Sequence, residues 1–208
     1  MRSVDGVLAG WLLLMHPVFA DQAYEELYRQ YDFPEAPSPR DVPVCYGHGC
    51  ATVARVALSD PQWQQVSTHL SAPAADPAAE REQVRNAIAE MERVVGELAG
   101  TSGDRAGDLS GFGTLQPQMD CVDESSNTTT YLTILEQAGL LRWHTVEPRA
   151  HRGFLIVGGW PHFTAVLRET GNGTRWTVDS WFRDNGAPPD VVDLETWKGG
   201  WRPAGFVF

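Results

Sequence analysis

The clearest alternation of apolar and polar positions lies between residues 76 and 98, where apolar residues recur every three or four positions. Asp76-Pro77 supplies an N-cap followed by proline, so the pattern predicts a helix from there to about Leu98. The apolar stripe consists of Val84, Ile88, Met91, Val94, Val95 and Leu98. We interpret the other face as solvent-exposed; it carries Glu80, Arg81, Glu82, Arg85, Glu90, Glu92 and Arg93.

Three further helices are predicted from their end signals and apolar spacing. One covers Asp21 to Tyr31, and another begins at Ser59-Asp60-Pro61 and runs through Leu70. The third runs from Cys121 to Ala138 and is closed by Gly139. Its middle turns are polar and partly β-branched, so their intrinsic helix propensity is low and tertiary packing must hold them.

The C-terminal half is rich in strand candidates. They are Leu141 to Val146, Phe154 to Val157, Phe163 to Leu167, and Trp176 to Trp181. Gly171-Asn172-Gly173 predicts a hairpin between the last two. Val53 to Leu58 is too short for periodicity to separate strand from helix, Gly100 to Gly113 predicts a long loop, and Trp197 to Phe208 forms an aromatic tail. These elements predict an α+β fold in one domain, residues 21–208, with a mainly helical part at 21–100 and a core at 112–208.

The first twenty residues have the character of a signal peptide. Arg2 precedes an apolar run from Val7 to Val18, and Val18-Phe19-Ala20 places small residues at the positions that a signal peptidase inspects. A membrane anchor or a first core helix is the alternative, but the run is short for a bilayer span. We expect cleavage after Ala20 and a periplasmic or secreted protein with no membrane segment afterwards.

Charge and aromatic content narrow the classes of partner. The formal net charge of −11 argues against nucleic acid or an anionic surface as a main partner. Six of the eight tryptophans follow residue 142, which predicts a packed sheet or an aromatic-lined cleft in the C-terminal half.

The chain has three cysteines, an odd number for an exported protein. Cys45 and Cys50 enclose a loop with two glycines, which favours a local disulfide. Unpaired thiols remain an alternative, as does a metal site built from Cys45, His48 and Cys50, although this spacing lacks the usual two-residue thiolate separation and a fourth ligand. A disulfide would leave Cys121 as the odd thiol.

Cys121 is a candidate nucleophile because it begins a predicted helix. Free amides and the helix dipole at that position stabilise a thiolate and lower its pKa. Asp120, Asp123 and Glu124 act in the opposite direction, because nearby carboxylates raise the pKa of a thiol. A small buried structural cysteine is the alternative.

His162 and Asp179 are the candidate base and its partner. His162 opens a predicted strand, where an imidazole can project into a cleft, and His144 is its main competitor. Asp179 lies in an otherwise largely apolar strand, where a carboxylate is costly unless it is paired. The two residues are directly opposite only if the hairpin is centred between Thr170 and Gly171, so we expect a bulge or an asymmetric loop.

A cysteine before a helix, then a histidine on a strand and an aspartate on the next strand, resembles the transglutaminase-like superfamily, a branch of the papain-like fold. The resemblance covers about residues 112 to 190. Three segments carry the resemblance. They are Asp120-Cys121 with the stretch Leu132 to Leu140 at the end of the following helix, His162-Phe163-Thr164-Ala165-Val166, and Trp176-Thr177-Val178-Asp179-Ser180-Trp181. Two positions differ from the family pattern: Met119 replaces a glycine often found two residues before the cysteine, and Ser180 replaces a proline often found after the aspartate.

The resemblance implies a transglutaminase-like, papain-type core, with the nucleophile at a helix N-terminus packed on an antiparallel sheet. It also implies a Cys121-His162-Asp179 triad that transfers an acyl group through a thioester, without cofactor or metal. The substrate would be a peptide, a protein or a cell-wall amide. Gln116 and Gln118 are candidate oxyanion donors. Two alternatives remain: a papain-type cell-wall amidase, and a catalytically inactive binding module that keeps the fold.

Overall fold

Helices and antiparallel strands are mixed in the computed structural model, which describes residues 18–108, 118–153 and 161–206. The helices are α1 (Val18–Gln30), α2 (Asp60–Thr68), α3 (Pro77–Ala99), α4 (Cys121–Gln137) and α5 (Leu194–Lys198). The strands are β1 (Val42–Tyr46), β2 (Thr52–Val56), β3 (His144–Arg152), β4 (His162–Glu169), β5 (Arg175–Asp179) and β6 (Asp190–Asp193). The predicted α+β class is confirmed.

Some sequence predictions fall outside these ranges. Most of the expected signal peptide, the strand at Phe154 to Val157, and Gln116 lie outside the described residues. The expected cleavage point after Ala20 falls within α1. None of the helices in the described ranges is both long enough and apolar enough to cross a bilayer.

The predicted starts of α2, α3 and α4 are confirmed because they depend on short-range chemistry, whereas α1 begins at Val18 and not at Asp21. Ser59 caps α2 with a capping box in which it and Gln62 bond each other's backbone amides, and proline follows in the first turn. Asp76 caps α3 by accepting from the amide of Ala79 at 2.8 Å. The left-handed Gly100 ends α3 with a φ of 80°.

The larger sheet has the order β3-β4-β5-β6, and every neighbouring pair is antiparallel. The register of β3 against β4 shifts between Glu147 and Ala150. This segment contains Pro148, which cannot donate to the ladder. The shift leaves Arg152 opposite His162. A second, two-stranded sheet pairs β1 with β2, so the ambiguous segment after Thr52 is a strand.

The β4–β5 hairpin places the candidate base and carboxylate on the same face without a bulge between them. Leu167 pairs with Trp176 and Ala165 with Val178, so the hairpin is centred between Gly171 and Asn172. On this register Asp179 lies opposite Thr164, two residues from His162. Residues two positions apart on a strand point to the same face of the sheet, so His162 and Asp179 share a face. The expected need for a bulge or asymmetric loop was therefore wrong.

One core cluster extends across both the N-terminal part and the later sheet. It includes Val42 and Val44 of β1, Ile88 of α3, Leu132 of α4 and Leu167 of β4. Two residues that we assigned to the exposed face of α3 are buried: Glu80 has no exposed surface and Glu92 is 4 % exposed. Glu80 accepts from the amides of Arg142 and Trp143, and these donors offset the cost of its burial.

Helix α4 is buried along nearly its whole length although its middle is polar. Hydroxyl groups in this stretch bond to carbonyls of the preceding turn: Ser126 to Val122, Thr130 to Ser126, and Thr133 to Thr129. These three hydroxyl groups are thus satisfied within the helix, and α4 packs against α1 and strands of both sheets. Tertiary packing therefore holds this helix, as its low propensity predicts.

Cys45 and Cys50 form a disulfide, and Cys121 is a buried free thiol. We expect one thiol to react with an alkylating agent in denaturant without reductant, and three after reduction. Mass spectrometry of the alkylated protein measures the count. Three reactive thiols before reduction would contradict the disulfide, and one bound zinc ion per chain would instead favour the metal alternative.

Candidate active site

Cys121 is the first residue of α4, and the amides around it are largely engaged by Asp120. One carboxylate oxygen of Asp120 accepts from the amides of Val122 at 2.9 Å and Asp123 at 3.0 Å. Asp123 in turn accepts from the amide of Asp120 at 3.1 Å. This capping box fixes the first turn of the helix. The backbone amide of Cys121 lowers the pKa of its own thiol.

The sulfur of Cys121 lies between the two peptide units that flank His162. The thiol donates to the carbonyl of Pro161 at 3.8 Å, and the amide of Phe163 donates to the sulfur. Cys121 also packs with Trp181 and Phe182, and both rings contact the His162 imidazole, with centroid distances of 4.8 and 5.1 Å. The start of α4 and the start of β4 therefore form one site.

His162, Asp179 and Trp197 form a buried hydrogen-bonded group. One oxygen of Asp179, Oδ2, binds both Nε2 of His162 at 2.8 Å and Nε1 of Trp197 at 2.7 Å. The Trp197 ring also lies against the imidazole, with centroids 5.3 Å apart. Trp197 has no exposed surface, and both His162 and Asp179 are buried. The indole excludes water from the histidine–carboxylate bond, which strengthens it.

The hydrogen bond to Asp179 assigns the proton of neutral His162 to Nε2, because a carboxylate can only accept. The other ring nitrogen, Nδ1, then carries a lone pair. Nδ1 is buried and has no hydrogen-bond partner among the described residues. The imidazole is thus oriented by one nitrogen and has the other available as a base.

His144, the competing base, lies at the far end of the sheet. It pairs with Glu169, whereas His162 pairs with Arg152. Seven residues along β4 correspond to about 23 Å at about 3.3 Å per residue. Nδ1 of His144 bonds to the buried Glu80 at 2.9 Å. His144 therefore belongs to a structural network under α3.

The expectation of a lowered pKa for Cys121 was wrong. Burial raises the pKa of the thiol to about 12, and the charges of Asp120 and Asp179 act in the same direction. Hydrogen bonds from the backbone amides of Phe163 and of Cys121 itself lower the pKa but do not offset the burial. Cys121 is only 7 % exposed, so the resting group is a neutral thiol.

Of the two candidate oxyanion donors, the structure describes only Gln118, and its side chain is engaged elsewhere. The side-chain amide of Gln118 donates to the carbonyl of Gly103 at 3.0 Å and accepts from the amide of Arg105 at 3.2 Å. Both ends of this amide are therefore engaged by the 103–105 loop. Gln116 lies outside the described residues.

Aromatic residues from the C-terminal segment cover the thiol. Trp201 and Phe206 pack against the cluster that contains Cys121. The Phe206 ring lies 4.8 Å from Phe182 between centroids. Gly107 is left-handed, and a Cβ there would overlap the Phe206 ring. Trp201 and Phe206 of the predicted aromatic tail thus pack over the site, but the sequence did not single out Trp197 as a partner of Asp179.

Several carboxyl groups are buried near the start of α4. Burial raises the pKa of Glu92, Asp104 and Asp123 to about 7 each, and raises that of Glu124 well above its usual value. Glu124 and Asp104 hydrogen-bond to each other, and Glu92 accepts from the amide of Gly186 at 3.1 Å. The positions of these residues in the sequence gave no sign of this cluster.

These buried carboxyl groups predict that the protein loses stability as the pH rises through about 7. A carboxyl group whose pKa is raised on folding stabilises the fold fully below its unfolded pKa, near 4. That contribution is lost as the pH rises through the folded values of about 7 for Glu92, Asp104 and Asp123. Glu80 and Asp184 have lowered pKa values, so their contribution to stability is lost at acid pH, as the pH falls through those values.

Thermal unfolding at about pH 5.5 and pH 8.5 measures this effect. We expect a lower midpoint at the higher pH, with roughly 2–4 °C for each kcal/mol lost. Glu92→Gln should reduce the difference, whereas Glu97→Gln, at an exposed position on the same helix, should not. An unchanged or higher midpoint at pH 8.5 in the unaltered protein would contradict the prediction.

Comparison of the chain with protein-family models, curated proteins and solved structures gives no match.

Proposed function

We propose that the protein is an exported acyl-transfer enzyme in which Cys121 is the nucleophile, His162 the base and Asp179 the orienting carboxylate. One observation carries the proposal: His162 is bound to Asp179 through Nε2, Nδ1 is buried without a described partner, and the Cys121 thiol donates to the carbonyl of Pro161, the residue before His162. A nucleophile–base pair requires one imidazole nitrogen to be held by a carboxylate and the other to accept the proton of the nucleophile. The resemblance to transglutaminase-like enzymes agrees with it.

The raised pKa of Cys121 implies that the proton leaves during attack. In the proposed step the Cys121 proton moves to Nδ1 of His162 while the sulfur forms a bond to the acyl carbon of an amide or ester. The charge of Asp179 stabilises the imidazolium that forms. His162 then returns the proton to the leaving nitrogen or oxygen, the bond to that atom breaks, and a thioester remains on Cys121.

The thioester is resolved by the reverse sequence. His162 takes a proton from water or an amine, which attacks the acyl carbon, and the Cys121 sulfur leaves with the returned proton. Water gives hydrolysis of a peptide, protein or cell-wall amide, and an amine gives transamidation. The backbone amide of Cys121, at the first position of α4, is the proposed donor to the oxyanion.

Acylation by an activated ester tests the proposal. The folded protein is incubated with p-nitrophenyl acetate, and the acetylated residue is mapped by mass spectrometry. We expect acetyl-Cys121 to form and to be released faster when hydroxylamine is added. Lys198 is the chain's single lysine, so background acylation of amines is limited to that side chain and the terminal amine, and peptide mapping separates it from acetyl-Cys121.

A catalytically inactive binding module is the second candidate, and the burial and raised pKa of Cys121 favour it. The same experiment separates the two. An inert thiol should be acetylated no faster in the folded protein than in protein unfolded with denaturant. Labelling confined to Lys198 and the terminal amine would contradict the enzymatic proposal.

A further inference from the structure

The loop closed by the Cys45–Cys50 disulfide has an unusual backbone. Gly47, His48, Gly49 and Cys50 all have positive φ values, of 84°, 68°, 66° and 58°. Two of these residues are not glycine, and their left-handed conformation is held only if the surroundings fix it. The disulfide joins the ends of this loop, with Cα atoms 4.6 Å apart.

All four of these residues donate their backbone amides to the chain around Cys121. Gly47 donates to the carbonyl of Gln118 at 2.9 Å, and Gly49 to Asp120 at 3.0 Å. His48 and Cys50 donate to the two oxygens of Asp123, at 2.8 and 2.5 Å. Every acceptor lies within three positions of Cys121.

The two carboxylates connect the disulfide loop to the start of α4. Asp120 accepts from Gly49 with Oδ2 and caps the amides of Val122 and Asp123 with Oδ1. Oδ2 of Asp123 accepts from the amide of His48 and also from that of Asp120. The loop amides thereby hold the groups that fix the first helical turn, in which the nucleophile lies.

Asn127 forms a second connection, one and a half turns further along α4. Its side-chain oxygen accepts from the amide of Cys45 at 2.7 Å, and its nitrogen donates to the Cys45 carbonyl at 2.9 Å. This pair of bonds ties the first cysteine of the disulfide to the same helix.

We propose that the Cys45–Cys50 disulfide is a redox-controlled positioning device for Cys121. Oxidised, it holds the loop amides on Asp120 and Asp123. Reduced, it lets the loop relax from its left-handed conformation, so that the start of α4 loosens and the thiol moves away from the carbonyl of Pro161. The claim that the disulfide controls catalysis rests on the proposed function. The claim that it positions Cys121 does not.

The reductant is a dithiol, as a protein or small molecule. One of its thiolates attacks the sulfur of Cys50, which is slightly exposed whereas Cys45 is not, and a mixed disulfide forms as the Cys45 sulfur leaves. The second thiol of the reductant then displaces Cys50. Two electrons and two protons pass to the cysteines, and the reductant becomes a disulfide.

Hydrogen exchange and alkylation of the folded protein, oxidised and treated with dithiothreitol, test the proposal. Reduction should raise amide exchange at least about tenfold in a peptide covering residues 118–127. It should leave a peptide covering residues 77–99 of α3 unchanged. The rate of Cys121 alkylation, followed by peptide mapping, should rise by a similar factor.

Variants provide a second measurement that does not require reduction. Asn127→Ala should raise exchange at residues 118–127 and Cys121 alkylation partway towards the reduced values. Asn86→Ala, which removes a side-chain bond to the carbonyl of Glu82 at an exposed position of α3, should change neither.

Each outcome decides the proposal. Unchanged exchange at residues 118–127 on reduction would overturn it, and so would an equal rise in α3, which would mean general unfolding. If these results hold but the oxidised protein forms no acetyl-Cys121, the proposed function fails and the positioning device stands. If acetylation occurs and is unaffected by reduction, the device fails and the proposed function stands.

Discussion

Replacement of Cys121 by alanine is expected to abolish formation of the acyl-enzyme and every turnover that depends on it. The sulfur is the atom that forms the proposed thioester, and no other described cysteine is a free thiol. The fold should persist, because the change removes one buried atom next to Trp181 and Phe182 and leaves the Asp120 cap intact. Mass spectrometry after acetyl-donor treatment measures the loss, and thermal unfolding measures the fold.

The control for this variant is Met91→Leu studied beside it. This change also removes one buried sulfur, but from the core face of α3, so it should leave Cys121 acylatable. Acylation at an unchanged rate in Cys121→Ala would falsify the assignment of the nucleophile.

Replacement of Asp179 by asparagine is expected to lower turnover by about 10²–10⁴ while substrate binding is nearly unchanged. The carboxylate charge stabilises the imidazolium that His162 becomes when it takes the thiol proton. Asparagine removes that charge and also places an amide where Oδ1 is buried without a described partner. Steady-state kinetics should show the loss in kcat and little change in KM.

Asp190→Asn is the matched control, because Asp190 lies directly opposite Asp179 on β6 and pairs with Arg183. It should alter turnover little. His162→Ala should reduce turnover at least as much as Asp179→Asn, and His144→Ala should not, since His144 binds Glu80 at the other end of the sheet. A larger loss in the His144 variant than in the His162 variant would overturn the choice of base.

Short-range chemistry explains what the sequence predicted of the fold. The starts of α2 and α3 follow from Ser59 and Asp76, whose side chains bond amides three residues away. The hairpin after β4 follows from its glycine-rich turn. Strand β1 and helix α5 were not predicted, because a short strand interrupted by Pro43 and a five-residue helix have little periodicity to detect.

The candidate site depends on contacts between residues far apart in the chain, and only part of it could be predicted from the sequence. Residue type and order singled out Cys121, His162 and Asp179, and the β4–β5 register, which a single sequence does not fix, places the last two on one face. Trp197 was missed because it meets Asp179 only after the chain passes through β6.

The pKa of Cys121 was predicted in the wrong direction because a helix start is visible in the sequence but burial is not. The helix dipole acts within one turn and has a modest effect, whereas the aromatic cover removes the thiol from water. The burial of Glu80 and Glu92 could not be predicted from the sequence for the same reason. Their spacing on α3 is that of exposed residues, and their burial follows from segments that pack on α3 from elsewhere in the chain.

The polar, deeply buried α4 has a consequence for the order of folding. Its threonine- and serine-rich turns have low intrinsic propensity, so the isolated segment has little tendency to become helical, and it needs the sheets already in place. We expect α4 to consolidate late, after α3 and the hairpins. A partly folded chain then has a cysteine but no oriented imidazole, so under the proposed function acyl transfer begins only in molecules that have completed folding.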